Sequence, residues 1–346
     1  METNQPAGTD VNQLGEFGLI EHLTKAFPLV QASTVRGIGD DGAVVKNHKE
    51  TTVVSTDMLV EGIHFDLMYS PLKHLGYKAV VVNLSDICAM NAVPTHITMS
   101  LAISSKYTVE ALEEFYAGVR LACDLYEVDL IGGDTTSSPR GMAISVTAMG
   151  QAQSEDIVYR SGAKVGDIIC VTGDFGGAYI GLQLLEREKQ IYLSNPDIQP
   201  DLGELDHVLG RQLKPEARLD AVKYMKQNHL KPTAMIDVSD GLASEIFHIC
   251  KESGVGAYIE EGKVPIHPQT EETAIEFKVN PITCALNGGE DYELLFTVSP
   301  DDLEKVRYMP EVAIIGEITK HEDGAKLHTT GGNIHDMEAQ GWKHFG

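Results

Sequence analysis

Short apolar runs that end in a small residue and a carboxylate recur along the whole chain. The six instances are GDD at 39–41, STD at 55–57, NLSD at 83–86, GGDT at 132–135, DVSDG at 237–241 and GGED at 288–291. Residues at strand ends project into clefts, where binding sites form. The pattern therefore predicts that these carboxylates end apolar elements and meet in one site. Their small neighbours leave room for a ligand phosphate to approach the backbone.

Clustered carboxylates with few basic neighbours favour a metal-bridged phosphate site. Mg²⁺ prefers hard oxygen ligands and is bound by one or two carboxylates together with substrate phosphates. Metal ions between two anionic phosphates stabilise the charge in transfer and align an in-line attack. Any single Gly-Asp or Ser-Asp segment is more often an ordinary turn or a helix N-cap, and Asp237 and Asp240 also fit an N-cap. Six such segments in one chain favour a shared site.

Charge and composition narrow the class of protein. Lys and Arg total 27 against 51 Asp and Glu, a net charge of −24. Such a surface repels nucleic-acid phosphates, so we expect no nucleic-acid partner. No apolar run approaches the ~20 residues that span a bilayer, and the N-terminus lacks the pattern of a signal peptide. The five cysteines form no CxxC pair, which argues against a zinc site or a disulfide framework. Together these features predict a cytoplasmic protein with reduced thiols and no membrane partner.

The length of the chain, 346 residues, predicts two domains because single cores stop growing below this size. A polar, turn-rich stretch at 151–166 marks the boundary, which gives an N-terminal domain at 1–152 and a C-terminal domain at 153–346. Strand-like and helix-like segments mix in both halves. The predicted class is α/β (α+β), with mixed sheets flanked by helices.

The apolar periodicity predicts individual elements. Strands are expected at 51–56, 97–103, 142–149, 167–172, 233–238, 256–260, 292–298 and 312–318, and a short apolar stretch at 128–131 runs into the Gly-Gly-Asp segment. Helices are expected at 14–27, 109–125, from 176 onward, 215–228 and 241–253. The segment 73–91 fits a strand or a helix, and the polar segment 189–213 reads as an insertion or a long connection.

The motifs together carry a resemblance. They are GIGDDGA (37–43), STDMLVEGIHF (55–65), YKAVVVNLSDICAMNA (77–92), IGGDTT (131–136), RSGAKVGD (160–167), IDVSDGL (236–242), NGGEDYELLF (287–296) and GWKHF (341–345). In this order, over nearly the whole chain, they resemble the thiamine-monophosphate kinases, a family of the aminoimidazole ribonucleotide synthetase-like superfamily. The resemblance implies a homodimer whose N-terminal domain binds ATP and metal and whose C-terminal domain completes the active site. It also implies phosphorylation of thiamine phosphate to thiamine diphosphate by direct in-line transfer from ATP with several Mg²⁺ ions.

The resemblance further implies a set of site residues. The implied metal ligands are Asp41, Ser55, Thr56, Asp57, Asp86, Asp134, Asp237 and Asp240. The implied nucleotide contacts are Tyr116, Gly133, Asp134, Arg160 and Ser239, and the implied thiamine-phosphate contacts are His64, Glu290 and Trp342. We expect no general base, because the attacking phosphate is already anionic; the metals with Asp86, Asp134 and Asp240 position the transfer. Asp40 and Asp291 adjoin these motifs and are either ligands or turn residues.

Two alternatives stay open on the sequence. The first is another enzyme of the same superfamily, such as a selenophosphate synthetase, a purine-pathway synthetase or a hydrogenase-maturation protein. A selenophosphate synthetase would show an N-terminal Cys with a nearby Lys, and a hydrogenase-maturation protein a Cys-bearing tail, but here the first cysteine is Cys88 and the tail carries none. A non-catalytic acidic scaffold that binds cations is the second, and it predicts carboxylates spread over the surface.

Overall fold

Two mixed β-sheets, each accompanied by helices, make up the described part of this computed structural model. The structure describes residues 34–36, 40–41, 43–46, 51–104, 106–200 and 202–339. The helix expected at 14–27 and the predicted substrate contact Trp342 lie outside these residues. The predicted α/β class is confirmed by the alternation of sheets and helices.

The first sheet has the strand order β1-β2-β3-β6-β4-β5, with β4 and β5 parallel and the other neighbours antiparallel. Its strands are β1 (Thr34–Arg36), β2 (Ala43–Lys46), β3 (Thr51–Val60), β4 (Val93–Ile103), β5 (Asp129–Ser137) and β6 (Ala143–Ala152). Along β6, buried and half-buried residues alternate, so only one face of the sheet is fully covered.

Two long helices, α1 (Leu72–Ala89) and α2 (Val109–Tyr126), accompany this sheet. Segment 73–91, which the sequence left ambiguous, is α1, and most of its residues are buried. A helix that is buried nearly all round lacks the one-sided apolar stripe by which helices are recognised in sequence. The two helices cross at glycines: a Cβ at Gly76 would lie 2.0 Å from the Phe115 carbonyl oxygen, and one at Gly118 would lie 1.8 Å from that of Lys73.

The second sheet has the order β13-β12-β9-β11-β7-β10-β8, in which only β9 and β12 pair in parallel. Its strands are β7 (Ile168–Thr172), β8 (Ala234–Asp237), β9 (Gly256–Glu260), β10 (Leu294–Val298), β11 (Val312–Thr319), β12 (Ala325–His328) and β13 (Ile334–Asp336). The α-helices that accompany it are α3 (Gly177–Ser194), α4 (Asp206–Leu213), α5 (Leu219–Gln227), α6 (Leu242–Ser253), α7 (Pro268–Glu276), α8 (Pro281–Asn287) and α9 (Leu303–Arg307).

The segment 189–213 is more ordered than its composition indicates. Helix α3 continues to Ser194 and α4 occupies the end of the segment, so the connection expected over 189–213 is limited to residues 195–205. Helix α4 packs on α3 at Gly181, where a Cβ would lie 2.1 Å from the Val208 carbonyl oxygen. Val208 and Gln212 are buried despite their polar surroundings in sequence. Helices α7 to α9 and strands β12 and β13 were not predicted either.

Helix α1 is the element that joins the two halves. It contacts β3, β4 and β6 of the first sheet and also β8 of the second. Leu219 and Val222 of α5 share a buried cluster with residues of α1, so the second half packs directly on the first. The division at 152/153 stays a proposal. All five cysteines are free thiols, and four of them are buried. None of the helices in the described ranges has the length and apolar character needed to cross a membrane.

Candidate active site

Three carboxylates from separate parts of the chain converge at the junction of the two halves. Asp41 lies between β1 and β2, Asp86 lies in the last turn of α1, and Asp237 ends β8. One oxygen atom of each lies within 4.8 Å of the others. Residues about 45 and 150 positions apart therefore form one acidic cluster, as the recurring motifs predict.

Neighbouring hydroxyl groups fix the orientation of two of these carboxylates, Asp86 and Asp237. The Ser55 hydroxyl donates to Asp86 Oδ2 at 2.5 Å, and the Ser85 hydroxyl donates to Asp237 Oδ2 at 2.6 Å. The Asp57 N–H donates to Asn83 Oδ1 at 2.9 Å, which ties β3 to α1. Short bonds to charged acceptors hold a carboxylate in one direction, so the cluster is preorganised.

Arg160 lies against the cluster, on the segment that leads into the second half. Its guanidinium contacts the Asp41 carboxylate and lies 3.8 Å from Asp40 Oδ1. The backbone N–H of Arg160 also donates to Asp40 Oδ1, at 3.3 Å. A guanidinium presents a planar fork that suits carboxylate and phosphate oxygens equally. Arg160 is therefore placed where a phosphate bound at the cluster would meet it.

The cluster is electrostatically unfavourable without a cation. Burial, and then repulsion from Asp41, raises the pKa of Asp237 to about 7 and that of Asp40 to about 6. Burial also raises the pKa of Asp41, against the nearby Arg160. The pKa of Asp86 rises well above its ordinary value, first through burial and then through Asp57, Asp237 and Asp41. Asp41 Oδ2 is buried and has no hydrogen-bond partner among the described residues. Crowded hard oxygens of this kind fit a divalent cation such as Mg²⁺.

A turn next to the cluster carries Ser239 and Asp240. The buried Glu245 side chain on α6 accepts hydrogen bonds from both backbone N–H groups, at 3.2 Å from Ser239 and 2.9 Å from Asp240. Burial, and then Asp240, raises the pKa of Glu245 to about 8. These bonds fix the turn in one shape, so the side chains of Ser239 and Asp240 are held beside Asp237.

Some acidic segments do not lie where the sequence pattern indicates. Asp57 lies inside β3, Asp86 inside α1 and Asp134 inside β5, so the expectation that each carboxylate ends an element was wrong for these three. Small residues do not end a strand when neighbouring strands continue to pair with it, as β6 does along the whole of β3. Thr56 alternates to the opposite face of β3 from Ser55 and Asp57, and its hydroxyl donates to the Val146 carbonyl at 3.0 Å.

The predicted nucleotide contacts on β5 and α2 form a separate groove. This groove is open, has a volume of about 530 Å³, and is lined in part by Tyr116, Gly133 and Asp134. Cross-strand pairs run from Asp57 through Val146 and Met99 to Gly133. Three strand spacings separate the ends of this row by about 14 Å. Arg160 and Ser239 thus lie at the acidic cluster, whereas Tyr116, Gly133 and Asp134 lie at the edge of the sheet.

One predicted substrate contact, His64, lines a small cavity between the two halves, and a second, Glu290, lies beside it. This cavity, of about 20 Å³, is lined by His64, Lys78 and Gln212 among others. His64 Nδ1 accepts a hydrogen bond from the Val60 N–H at 3.0 Å. The Glu290 carboxylate lies next to this cavity, because its Oε2 atom is 3.1 Å from the Nζ atom of the lining residue Lys78. His64 and Glu290, 226 positions apart, are thus brought to one region.

Comparison with known proteins identifies the family. Two family descriptions match, "AIR synthase related protein, N-terminal domain" over residues 39–152 and the corresponding "C-terminal domain" over 164–327. A thiamine-monophosphate kinase of Aquifex aeolicus is 35% identical, covering 97% of this chain and 99% of the relative. That of Bacillus subtilis is also 35% identical, covering 96% and 100%. The chain belongs to the thiamine-monophosphate kinase family. It is accordingly an enzyme of the kinase class.

Solved structures agree with this assignment. "AaThiL complexed with AMPPCP and TMP" superposes with a TM-score of 0.84 at 33% identity, covering 98% of this chain and 99% of that one. The hydrogenase maturation protein HypE in complex with ATP matches with a TM-score of 0.66 at 18% identity, which shows a shared fold alone. Of the superfamily alternatives, relatives at about 35% identity over the whole chain favour the thiamine-monophosphate kinase family.

The two carboxylates that the sequence left open have different roles in this family member. Asp40 belongs to the cluster's surroundings, since it binds Arg160 and accepts from the Asp41 N–H at 3.2 Å. Asp291 is fully buried, and its two carboxylate oxygens share the single Gly176 N–H at the start of α3, at 3.1 Å for Oδ1 and 3.0 Å for Oδ2. Its environment makes Asp291 a structural residue.

Sequence reasoning missed several residues that support the site. Asn83 and Ser85 lie within the NLSD motif, in which the sequence pattern marks only Asp86 as a candidate ligand. Lys78 and Glu245 were not singled out. Helical spacing places Lys78 and Ser85 on the same side of α1 as Asp86, a signal available once 73–91 is taken as a helix. Glu245 lies five residues after Asp240, in the first turn of α6, where acidic residues are favoured.

Proposed function

We propose that this chain transfers the terminal phosphoryl group of ATP directly to thiamine phosphate, giving thiamine diphosphate and ADP. The observation that carries the proposal is the cluster of Asp41, Asp86 and Asp237 beside Arg160, built from both halves of the chain. Support comes from the relatives' names and from the AaThiL structure, whose ligands AMPPCP, an ATP analogue, and TMP match these substrates.

The acidic cluster is proposed to hold several Mg²⁺ ions. Asp41, Asp86 and Asp237 would be the principal ligands, with Ser55, Asp57 and Asp240 as further positions. Thr56, on the opposite face of β3, and Asp134, about 14 Å away across the sheet, are the two implied ligands that lie apart from this cluster. The ions supply positive charge between donor and acceptor phosphates that would otherwise repel one another. The protein's part is to hold the oxygens ready, which the Ser55 and Ser85 hydroxyl groups do in the structure.

The transfer step needs no proton to be removed by the protein. The attacking oxygen belongs to a phosphate that is anionic at neutral pH, so positioning and charge stabilisation supply the rate. Arg160 would exchange its contact with Asp41 for phosphate oxygens of the nucleotide once cations neutralise the carboxylates. The side chains of Ser239 and Asp240, on the turn fixed by Glu245, would stand at the same phosphates.

The acceptor is proposed to lie between the acidic cluster and the cavity near His64. The thiazolium ring of thiamine phosphate is cationic, and Glu290 supplies a carboxylate for it at 31% side-chain exposure. Trp342, the only tryptophan of the chain, is proposed to offer an aromatic face to the same ring. Tyr116, Gly133 and Asp134 would contact the nucleotide in the groove along β5.

We further propose a homodimer formed through the incompletely covered face of the first sheet. Every second residue of β3 lies on that face and is half-buried or exposed: Thr52, Val54, Thr56 and Met58. All nine residues of β5 are exposed as well, including the apolar Leu130 and Ile131. Exposed contiguous apolar surface at a sheet edge marks interaction sites, and a second copy would cover it.

The function is tested by product analysis. Purified full-length protein is incubated with ATP, Mg²⁺ and thiamine phosphate, and products are separated by chromatography. The expected result is thiamine diphosphate and ADP in equal amounts, with no product when EDTA replaces Mg²⁺. ATP turnover with a formylglycinamidine substrate of the purine type, and none with thiamine phosphate, would overturn the proposal. Metal binding that ignores nucleotide, without any turnover, would favour a cation-binding scaffold.

A further inference from the structure

Lys78 is a buried amine that joins the two halves of the chain. It lies on α1 and is 8% exposed. Its Nζ atom donates to the Gln212 carbonyl oxygen at 2.9 Å and to Glu290 Oε2 at 3.1 Å. Both partners belong to the second half, the first on α4 and the second on the loop between α8 and β10. Lysine side chains are rarely buried unless they are paired. The two acceptors in the second half therefore account for the burial of Lys78.

Glu290 is held at two points. Its N–H donates to the Ser239 carbonyl at 2.7 Å, and its φ of +58° is a backbone conformation that few non-glycine residues adopt. Its carboxylate is held through Oε2 by Lys78, while the side chain as a whole remains 31% exposed. The backbone therefore sets where this residue stands, and Lys78 sets where its carboxylate points.

Lys78 lies on the same side of α1 as the acidic cluster. Residues 78, 82, 85 and 86 fall on one helical face, and they are separated by up to eight positions. Eight positions correspond to about 12 Å along the helix. One end of this face thus carries Asp86, and Ser85 with its bond to Asp237, while the other end carries the amine that holds Glu290.

We propose that Lys78 is a positioning residue for the acceptor substrate. By holding Glu290 Oε2, it aims the remaining oxygen, Oε1, toward a cationic ring whose phosphate lies at the acidic cluster. This inference rests on the proposed function, since it takes the acceptor to be a phosphate ester that carries a cationic ring. Lys78 acts through Glu290, and loss of its charge should weaken acceptor binding without changing nucleotide binding.

Two other possible roles of Lys78 predict different effects of its replacement on substrate binding. An amine that only joins the two halves would change stability, and its loss would affect acceptor and nucleotide alike. If the amine bound the acceptor phosphate directly, its loss would weaken acceptor binding equally whether residue 290 is Glu or Gln. Lysine has three N–H donors, and two of them serve Gln212 and Glu290 in the structure. A double-mutant cycle separates these roles.

The test compares Lys78→Met, Glu290→Gln and the double variant of the full-length protein. Thiamine phosphate binding without nucleotide is measured by calorimetry, and KM values for both substrates by steady-state assay. Lys78→Met should weaken acceptor binding by about 10-fold, an effect the size of one good charge-assisted contact, with KM for ATP changed less than about 2-fold. In the Glu290→Gln background, Lys78→Met should add less than about 2-fold.

Lys326→Met is the matched control, because Lys326 pairs with Asp336 between β12 and β13 and should leave both KM values unchanged. If Lys78→Met yields too little folded protein, Lys78→Gln carries the same comparison, because its amide keeps a donor for the Gln212 carbonyl. An equal loss in both Glu290 backgrounds, or no loss in either, overturns the inference. If wild-type protein neither binds nor phosphorylates thiamine phosphate, the proposed function fails instead.

Discussion

Replacing Asp237 by Asn tests the acidic cluster at the residue whose surroundings are best defined. The carboxylate is buried, 3% exposed, and lies within 4.8 Å of oxygens of Asp41 and Asp86. Asparagine is nearly isosteric and still accepts the Ser85 hydroxyl bond that now measures 2.6 Å. The substitution therefore removes a charge while leaving the packing intact. We expect it to stabilise the metal-free protein and to abolish transfer.

The magnitude follows from the pKa of Asp237, which rises from 3.8 to about 7 mainly through burial and repulsion by Asp41. At about 1.4 kcal/mol per pH unit, this difference corresponds to about 4 kcal/mol. A single pair of like charges at 4.8 Å repels by about 3 kcal/mol at an effective dielectric constant of 20. A carboxyl whose pKa is raised on folding carries no penalty below pH 3.8. The penalty grows as the pH rises toward about 7 and is complete above it.

Urea unfolding in EDTA at pH 8 should therefore show Asp237→Asn more stable than wild type by about 2 to 4 kcal/mol. The difference should shrink toward zero as the pH falls below 3.8, where the carboxyl becomes protonated in the unfolded as well as the folded state. Mg²⁺ with an ATP analogue should stabilise wild type much more than the variant. A variant that is less stable at pH 8, or that gains as much from Mg²⁺, would refute the repulsion argument.

Three further substitutions separate the roles of neighbouring groups. Arg160→Lys keeps the charge beside Asp41 but loses the planar fork, so kcat/KM for ATP should fall about 100-fold with little change in KM for thiamine phosphate, measured by steady-state kinetics. Ser85→Ala removes the hydroxyl that orients Asp237, and the Mg²⁺ concentration for half-maximal rate should rise several-fold; an unchanged Mg²⁺ dependence would count against this. Asp291→Ala leaves the N-terminus of α3 without its acceptor and should lower unfolding stability by about 1–3 kcal/mol with the Mg²⁺ dependence intact.

The convergence of distant carboxylates was predictable because aspartates of the same pattern recur in sequence. Asp41, Asp86 and Asp237 do meet, and the α/β class follows from alternating periodicities. Their exact settings were not predictable. Small residues next to Asp57 look like a turn, yet pairing with β6 along the whole of β3 keeps them in a strand. Tertiary pairing overrides local propensity there.

Helix α1 shows why burial hides structure from sequence. Most of its residues are buried between the first sheet and the second half, so it has no exposed polar face opposite an apolar stripe to reveal the helical period. Its ambiguity concealed the shared face of Lys78, Ser85 and Asp86. Helix α4 is the opposite case, since its polar sequence obscured the burial of Val208 and Gln212. In both helices the burial depends on contacts with other elements, which the sequence of a single segment does not show.

The most direct measurement is a crystal structure of the full-length protein with Mn²⁺, a non-hydrolysable ATP analogue and thiamine phosphate. Anomalous peaks should lie about 2.0–2.3 Å from carboxylate oxygens of Asp41, Asp86 and Asp237, with nucleotide phosphates on the opposite side of the ions. The acceptor phosphate should stand in line with the terminal phosphate, and its ring should face Glu290. Ions bound elsewhere, or phosphates that bind without contacting these three residues, would contradict the account.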